Sequence, residues 1–238
     1  MQINEVVDGF DIDNIVPYFQ PIVDLSTQSV ISYECLARLV TSAEHMFLPS
    51  EFLNLVEKEH CFGQLAQRIF HLSAQYFHSI NVGWSINISE QDIADVEFAE
   101  FLIDHLSGYP NPQRVTLEVM ATAVTQDCQK FESFIALCKR LGICVYLDRF
   151  AGTSNNLSKV LQLPIDGIKL DGTLVKRLAD SQDARDVVEN IVTLAGQNNI
   201  AVIAEHIEDK ATLEAVQALN VNYGQGFYFS YPQAQTSK

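Results

Sequence analysis

Four carboxylates, Glu34, Glu118, Asp148 and Glu205, two amides, Asn87 and Gln225, and one amine, Lys169, each fall within or at the end of a short apolar run. Carboxylate and amide oxygens are the hard donors that Mg²⁺, Mn²⁺ or Ca²⁺ takes. Glu34, Glu118 and Asp148 brought together without a cation would repel each other and raise each other's proton affinity. The clearest stretch is Cys144 to Asp171. Its two runs, Ile143–Leu147 and Ile165–Leu170, end on Asp148 and Arg149 and on Lys169 and Asp171. A small-residue loop and a short amphipathic segment lie between them, so the stretch reads as strand, helix, strand. Charges at the C-terminal ends of parallel strands sit where α/β proteins place their chemistry. One such charge reads as a solvated loop residue; two at matching ends of successive strands read as a site.

The elements that position these groups follow in order. Tyr18–Asp24 reads as a strand, with Pro21 pointing to an edge or an irregular start. A polar turn at Ser26–Ser29 leads to a second strand, Ile31–Arg38. Its alternation sets Glu34, Leu36 and Arg38 on one face and Tyr33, Cys35 and Ala37 on the other. If the first face is interior, Glu34 and Arg38 are buried charges that need partners. Pro49 opens a helix. Phe62, Leu65, Ile69, Leu72 and Tyr76 mark one face of a second, on which His71 and His78 read as surface residues. Further strands are Trp84–Ile88, with Ser89 as the N-cap of the next helix, and Arg114–Val119. A helical stripe of Phe131, Phe134, Ile135, Cys138 and Leu141 stops at Gly142. Val187, Ile191, Leu194 and Ala195 mark a long helix after the central stretch. Ile200–Ala204 is a buried strand and Asn222–Gly226 a short last one. Eight strands alternate with helices, except that a tight turn joins the first two and makes that pair antiparallel. The fold class is therefore α/β, a TIM-type (β/α)8 barrel with one antiparallel strand near the N-terminus. Residues 1–14 read as an acidic leader or connector and 15–238 as the barrel domain.

A hydrophobic content of 47% in 238 residues is enough for a large core. No run reaches the length of a membrane span, and the N-terminus has no signal-peptide pattern. Five cysteines without CxxC spacing fit reduced thiols in a cytoplasmic protein. A net charge of −15 argues against DNA or RNA polymers and anionic membranes as general partners. An anionic ligand needs a local cationic spot or a bound metal.

The chain resembles the EAL domains, phosphodiesterases of the bacterial second messenger cyclic di-GMP, from Tyr18 to about Pro232. The name motif appears as Glu34-Cys35-Leu36, followed by Ala37-Arg38-Leu39. The family's V-N-L-S is similar to Ile86-Asn87-Ile88-Ser89, and L-E-I-T-E to Leu117-Glu118-Val119-Met120-Ala121. D-D-F-G-T-G resembles Asp148-Arg149-Phe150-Ala151-Gly152-Thr153, and L-P-V-D-x-x-K-I-D matches Leu163–Asp171 without a gap. A-E-G-V-E is similar to Ala204-Glu205-His206-Ile207-Glu208, and Q-G-Y to Gln225-Gly226-Phe227. The resemblance implies two Mg²⁺ or Mn²⁺ ions that activate a water, which opens one phosphodiester to give pGpG. It implies Glu34, Asn87, Glu118 and Asp148 as metal ligands. Lys169 matches the lysine near the attacking water and Glu205 a carboxylate supporting the metals. Arg38 matches a phosphate-contacting arginine, and Gln20, Leu36, Arg149, Asp171 and Gln225 fall at the substrate. It also implies pairing of two copies through residues 154–163, with Leu157, Val160, Leu161 and Leu163 as the apolar pattern.

The departures cluster. Arg149 stands where the family has the second Asp, which serves the second metal. Ala121 replaces a Glu that holds the following loop, Cys35 replaces a central Ala, and His206 replaces a Gly. Two-metal hydrolysis clamps the attacking and leaving oxygens between two ions. Exchange of a carboxylate for a guanidinium disfavours a cation there by roughly 4 kcal/mol per unit charge at about 4 Å, before screening. One metal site is thus expected and the second is in doubt. Arg149 either pairs with Asp148 or Glu118, contacts a ligand phosphate, or swings out to solvent. The leading expectation is a domain that binds cyclic di-GMP with weak or no hydrolysis. A working phosphodiesterase is the second reading, and a nucleotide-independent module for a protein partner the third.

Overall fold

The computed structural model describes residues 10–41, 45–151 and 154–234, with the side chains of residues 125 and 154–156 left aside. Eight strands close a barrel: β1 (Ile15–Asp24), β2 (Val30–Val40), β4 (Gly83–Ile88), β5 (Val115–Met120), β6 (Cys144–Phe150), β7 (Gly167–Leu170), β8 (Ala201–Ala204) and β9 (Tyr223–Gly224). β1 runs antiparallel to both its neighbours, β2 and β9, and all other barrel neighbours are parallel. The additional strand β3 (Met46–Phe47) pairs with the end of β2. Helices follow the parallel strands, as the crossover back to a parallel neighbour demands.

β1 is paired with β2 along Ile15–Val23 and with β9 at Val23 and Asp24, so the strand as a whole is not an edge, while Pro21 itself lies outside the β9 pairing. Its prolines are accommodated by parity. Phe19 turns its N–H away from β2, onto the carbonyl of Gln233 at 2.8 Å. Pro17 and Pro21 share that orientation, so neither removes a donor from the β1–β2 ladder. Phe10 and Ile12, in the segment read as a leader, pack against the core. Arg68 fastens this segment by donating to the Asp13 carboxylate at 2.7 Å and to the Ile15 carbonyl at 2.7 Å.

Several local signals act as expected. Ser89 caps the helix Glu90–Ala94 in a reciprocal box with Asp92. Gly142 ends the helix Cys128–Leu141 at φ 76°, a left-handed turn that glycine adopts without strain. One helical stripe is rotated from expectation. The helix Phe62–Phe77 buries Ala66, Ile69, Phe70, Ser73 and Phe77, so Leu72 falls off the core face while Phe62, Leu65 and Tyr76 flank it. The helix Gln182–Gln197 buries Ile191 and Ala195 as expected, with Ala184 and Val188 on the same face and Val187 and Leu194 packed at its flanks. His71 and His78 are exposed. Leu157 and Val160 turn into the chain's own core. Leu161 and Leu163, half-buried, are what remains of the 154–163 pattern for a second copy. Among the described residues no helix is long and apolar enough to cross a membrane.

Candidate active site

The barrel gathers the polar residues of different strands around one buried amine. Gln20 and Glu34 are direct partners across β1 and β2, and Asn87 and Glu118 across β4 and β5. Directly opposed residues share a face, so both pairs point into the barrel together. Lys169, on β7, is fully buried, and its Nζ donates to Glu34 at 2.9 Å and Glu118 at 2.7 Å. It also lies 2.9 Å from Glu205, beyond the end of β8. An ammonium has three donors, and each has a carboxylate here. The second oxygen of Glu34 accepts from Asn87 at 2.6 Å. Gln225 donates to Glu34 at 2.7 Å and to Gln20 at 3.1 Å, and Gln20 donates on to the Ser230 carbonyl at 3.1 Å. Gly167 makes room in this floor, since a Cβ there would lie 2.8 Å from the Tyr146 ring.

The electrostatics follow from this wiring. Burial favours the protonated form of Glu34, but Lys169, Gln225 and Asn87 outweigh it and hold the carboxyl below its ordinary range. Glu34 is thus spared the rise expected of these acids in the absence of a cation, because the ammonium of Lys169 stands among them. Glu118 behaves as expected: burial, then Glu34, push it up to about 8 against the pull of Lys169. Burial likewise lifts Glu205 to about 7 against Lys169, with Asp148 and Glu34 adding to the rise. Burial alone would lower Lys169, yet Glu118, Glu205 and Glu34 hold it charged, well above its usual value.

Above this floor opens a cavity of about 780 Å³, within the size range of small-ligand sites. Arg38, Leu36, Asn87, Asp148, Arg149 and Gln225 are among its lining residues. Arg38 is buried, donates to the Ala37 carbonyl at 2.8 Å and lies 5.9 Å over the Tyr18 ring. Asp171 is not brought in. Its carboxylate accepts from the Thr173 amide at 2.9 Å and caps the helix Gly172–Lys176, a structural duty its place one residue past β7 did not reveal.

β6 carries an extra residue against β7 between Leu147 and Phe150. This bulge keeps both Leu147 and Asp148 buried and turns Arg149 outward. Arg149 adopts φ 54°, and its amide donates to Asp148 Oδ1 at 2.7 Å. Its side chain is 66% exposed, with Nε 3.9 Å from Asp148 Oδ2. The guanidinium thus stands at the mouth as a loose partner of Asp148. The Ala121 amide donates to the Asp148 carbonyl at 2.9 Å, so the backbone at that departure still supports β6. Cys35 packs in the core. His206, also left-handed at φ 55°, is largely exposed with Nδ1 3.7 Å from Glu208. The loop positions Gly152 and Thr153 lie outside the described residues.

The donor set suits a hard divalent cation. Glu118 Oε1 is buried with no hydrogen-bond partner among the described residues, as is Gln225 Oε1, and orphan buried oxygens are uncommon. At the same time, no group of three or more His, Cys, Asp and Glu among the described residues stands at metal-ligand geometry. Glu34, Glu118 and Glu205 are turned toward Lys169, and Asp148 toward Arg149.

Most apolar lining residues, Leu36 and the motif residue Phe227 aside, gave no signal in sequence. Met46, Leu48 and Phe62 are on the wall, as are Phe227 and Tyr231, whose rings stack at 4.4 Å between centroids. Both rings are exposed, at 47% and 62%, and only that exposure separates them from core aromatics.

The model of the EAL domain family matches residues 3–232, and the chain belongs to that family. It is 28% identical over 226 residues to the cyclic di-GMP phosphodiesterase PdeA of Borreliella burgdorferi, covering 91% of this chain and 33% of that protein. It is 29% identical over 220 residues to the cyclic di-GMP phosphodiesterase PA2567 of Pseudomonas aeruginosa, covering 90% of this chain and 38% of that one. The chain therefore spans about a third of the length of these curated relatives. Among solved structures, the FimX EAL domain of Xanthomonas citri in complex with c-diGMP superposes with a TM-score of 0.87 at 17% identity, covering 100% of this chain and 94% of that one. At that identity the likeness is one of fold.

Proposed function

We propose that this chain binds cyclic di-GMP in the cavity above Lys169 and hydrolyses one of its phosphodiesters, with one divalent cation, Mg²⁺ or Mn²⁺, as cofactor. The observation that carries the reading is the buried Lys169 with three carboxylates at 2.7–2.9 Å beneath a ligand-sized cavity. A charged network of this kind is costly to bury and contributes little net stability over an apolar core, so a chemical use accounts for it better than a structural one. Names of the curated relatives point the same way.

Glu34, Asn87, Glu118 and Asp148 are the residues that would hold the cation, which when bound supplies a polarised phosphate oxygen and a more acidic water. The chain's own groups do the rest. Lys169 keeps Glu34, Glu118 and Glu205 fixed and offers a positive charge to the region of the reacting phosphate. Arg38 faces the phosphate from β2. Glu205, raised to about 7, can take a proton near neutral pH. Water is added across one P–O bond, and the ring opens to linear pGpG.

Arg149 favours a second reading, binding with weak or no hydrolysis, because its charge stands 3.9 Å from a proposed cation ligand. Incubation with cyclic di-GMP and Mn²⁺, followed by chromatography of the nucleotides, separates the two. Product lost in Lys169→Ala supports hydrolysis. Tight calorimetric binding without product supports the second reading.

A further inference from the structure

The cavity has a charge problem. Its floor carries Glu34, Glu118, Asp148 and Glu205 against the single charge of Lys169, in a chain of net charge −15. A cyclic dinucleotide brings two phosphate charges to that floor. Among the described residues that line the cavity, Arg38 and Arg149 are the ones with a permanent positive charge. Arg38 is buried and already gives one donor to the Ala37 carbonyl. Arg149 differs in each respect. Its side chain is 66% exposed, and its contact with Asp148, 3.9 Å, is too long for a hydrogen bond. A guanidinium has five donors in a planar fork that matches a phosphate. Its placement is also built into the backbone. The β6 bulge and a left-handed φ of 54° aim the side chain to the mouth, and the Arg149 amide is tied to Asp148 Oδ1 at 2.7 Å. A bulky residue in that conformation carries strain, which is a feature of functional positions.

We infer that Arg149 is a phosphate-binding residue, so that Arg149 and Arg38 hold the two phosphates of a cyclic dinucleotide even when no divalent cation is bound. This rests on the functional reading above and adds to it a chain-specific division of labour. Arg149 supplies at the mouth positive charge that a second cation would otherwise bring, and ligand capture is uncoupled from metal loading.

The test is calorimetry of cyclic di-GMP binding in excess EDTA and, separately, in Mg²⁺, for the full chain and for Arg149→Ala and Arg149→Lys. The unsubstituted chain binds in EDTA. Arg149→Ala weakens that binding about ten- to hundredfold, the loss of one charge-assisted phosphate contact, and weakens it less in Mg²⁺. Arg149→Lys keeps part of the affinity but not the bidentate share. An unchanged affinity for Arg149→Ala in EDTA overturns the inference, as does binding by the unsubstituted chain in Mg²⁺ alone; both leave the functional reading intact. No binding in either buffer overturns the reading along with it. Because the side chain is largely exposed, unchanged circular dichroism and melting temperature are expected for both variants and show that the comparison is between folded proteins.

Discussion

Replacing Lys169 by Met keeps a similar apolar stem and removes the charge that three carboxylates share. The lysine is fully buried and contacts Glu118 at 2.7 Å and Glu34 and Glu205 at 2.9 Å. Removal of one partner from a buried ion pair costs about 3–5 kcal/mol, because the charge left behind is uncompensated. Protonation offers an escape. Glu118 and Glu205 already sit at about 8 and about 7, above the ordinary carboxylate value, and loss of Lys169 moves both further up. A group raised in the folded state stabilises below its unfolded pKa and loses that contribution as pH rises through the folded value. The penalty of Lys169→Met is therefore smallest near pH 5 and largest at pH 8 and above. With a urea m-value of about 1–3 kcal/mol/M, a penalty of about 3 kcal/mol at pH 8 lowers the unfolding midpoint by about 1–3 M. The single tryptophan, Trp84, is fully buried in the core and reports the transition by fluorescence. A loss below about 1 kcal/mol at pH 8, or a loss of the same size at pH 5 and pH 8, refutes the claim that Lys169 is the charge that holds this floor together.

Three further outcomes follow from the same geometry. In metal-free protein the raised Glu118 and Glu205 make stability fall as pH climbs from about 5 to 8; added Mg²⁺ flattens that fall, and a melting temperature independent of pH and Mg²⁺ contradicts it. Arg149→Asp tightens Mn²⁺ binding. Since the guanidinium is mostly exposed, deletion of its charge accounts for at most about 1 kcal/mol, or fivefold, and the new carboxylate adds to it; Asp also accepts the left-handed backbone better than most residues. Unchanged Mn²⁺ affinity by calorimetry shows that Arg149 does not feel the cation. Gly167→Ala drives a methyl to 2.8 Å from the Tyr146 ring and costs about 1–3 kcal/mol by overpacking. A thermal midpoint equal to the unsubstituted chain shows that the ring moves freely aside.

The barrel was legible because its signals are periodic and local. Apolar runs bounded by turns gave all eight strands, and the tight turn at Ser26–Ser29 gave the reversed β1. Boundaries were less so: Asn222–Gly226 contains only a two-residue strand. The site was legible to the extent that charge in an apolar strand is conspicuous, as with Glu34, Glu118 and Lys169. What the sequence hid was three-dimensional. The wiring of Lys169 to acids from β2, β5 and the end of β8 joins residues as many as 135 positions apart, and it holds Glu34 below its ordinary range. The β6 bulge depends on backbone register, so alternation along Leu147-Asp148-Arg149 could not say which side chains face inward. At Asp171 a cap and a ligand are the same side chain at a strand end, and the structure shows the cap.

The central claim is that this floor, with one cation and Arg149 beside it, cleaves as well as binds. The direct measurement is the conversion of cyclic di-GMP by the purified chain in Mn²⁺, followed by chromatography over a night at high protein concentration. Steady accumulation of pGpG that disappears in Lys169→Ala and in EDTA is the expected result. Intact cyclic di-GMP at the end of that incubation, with calorimetric binding still present, would contradict it and leave a domain that holds the nucleotide without opening it.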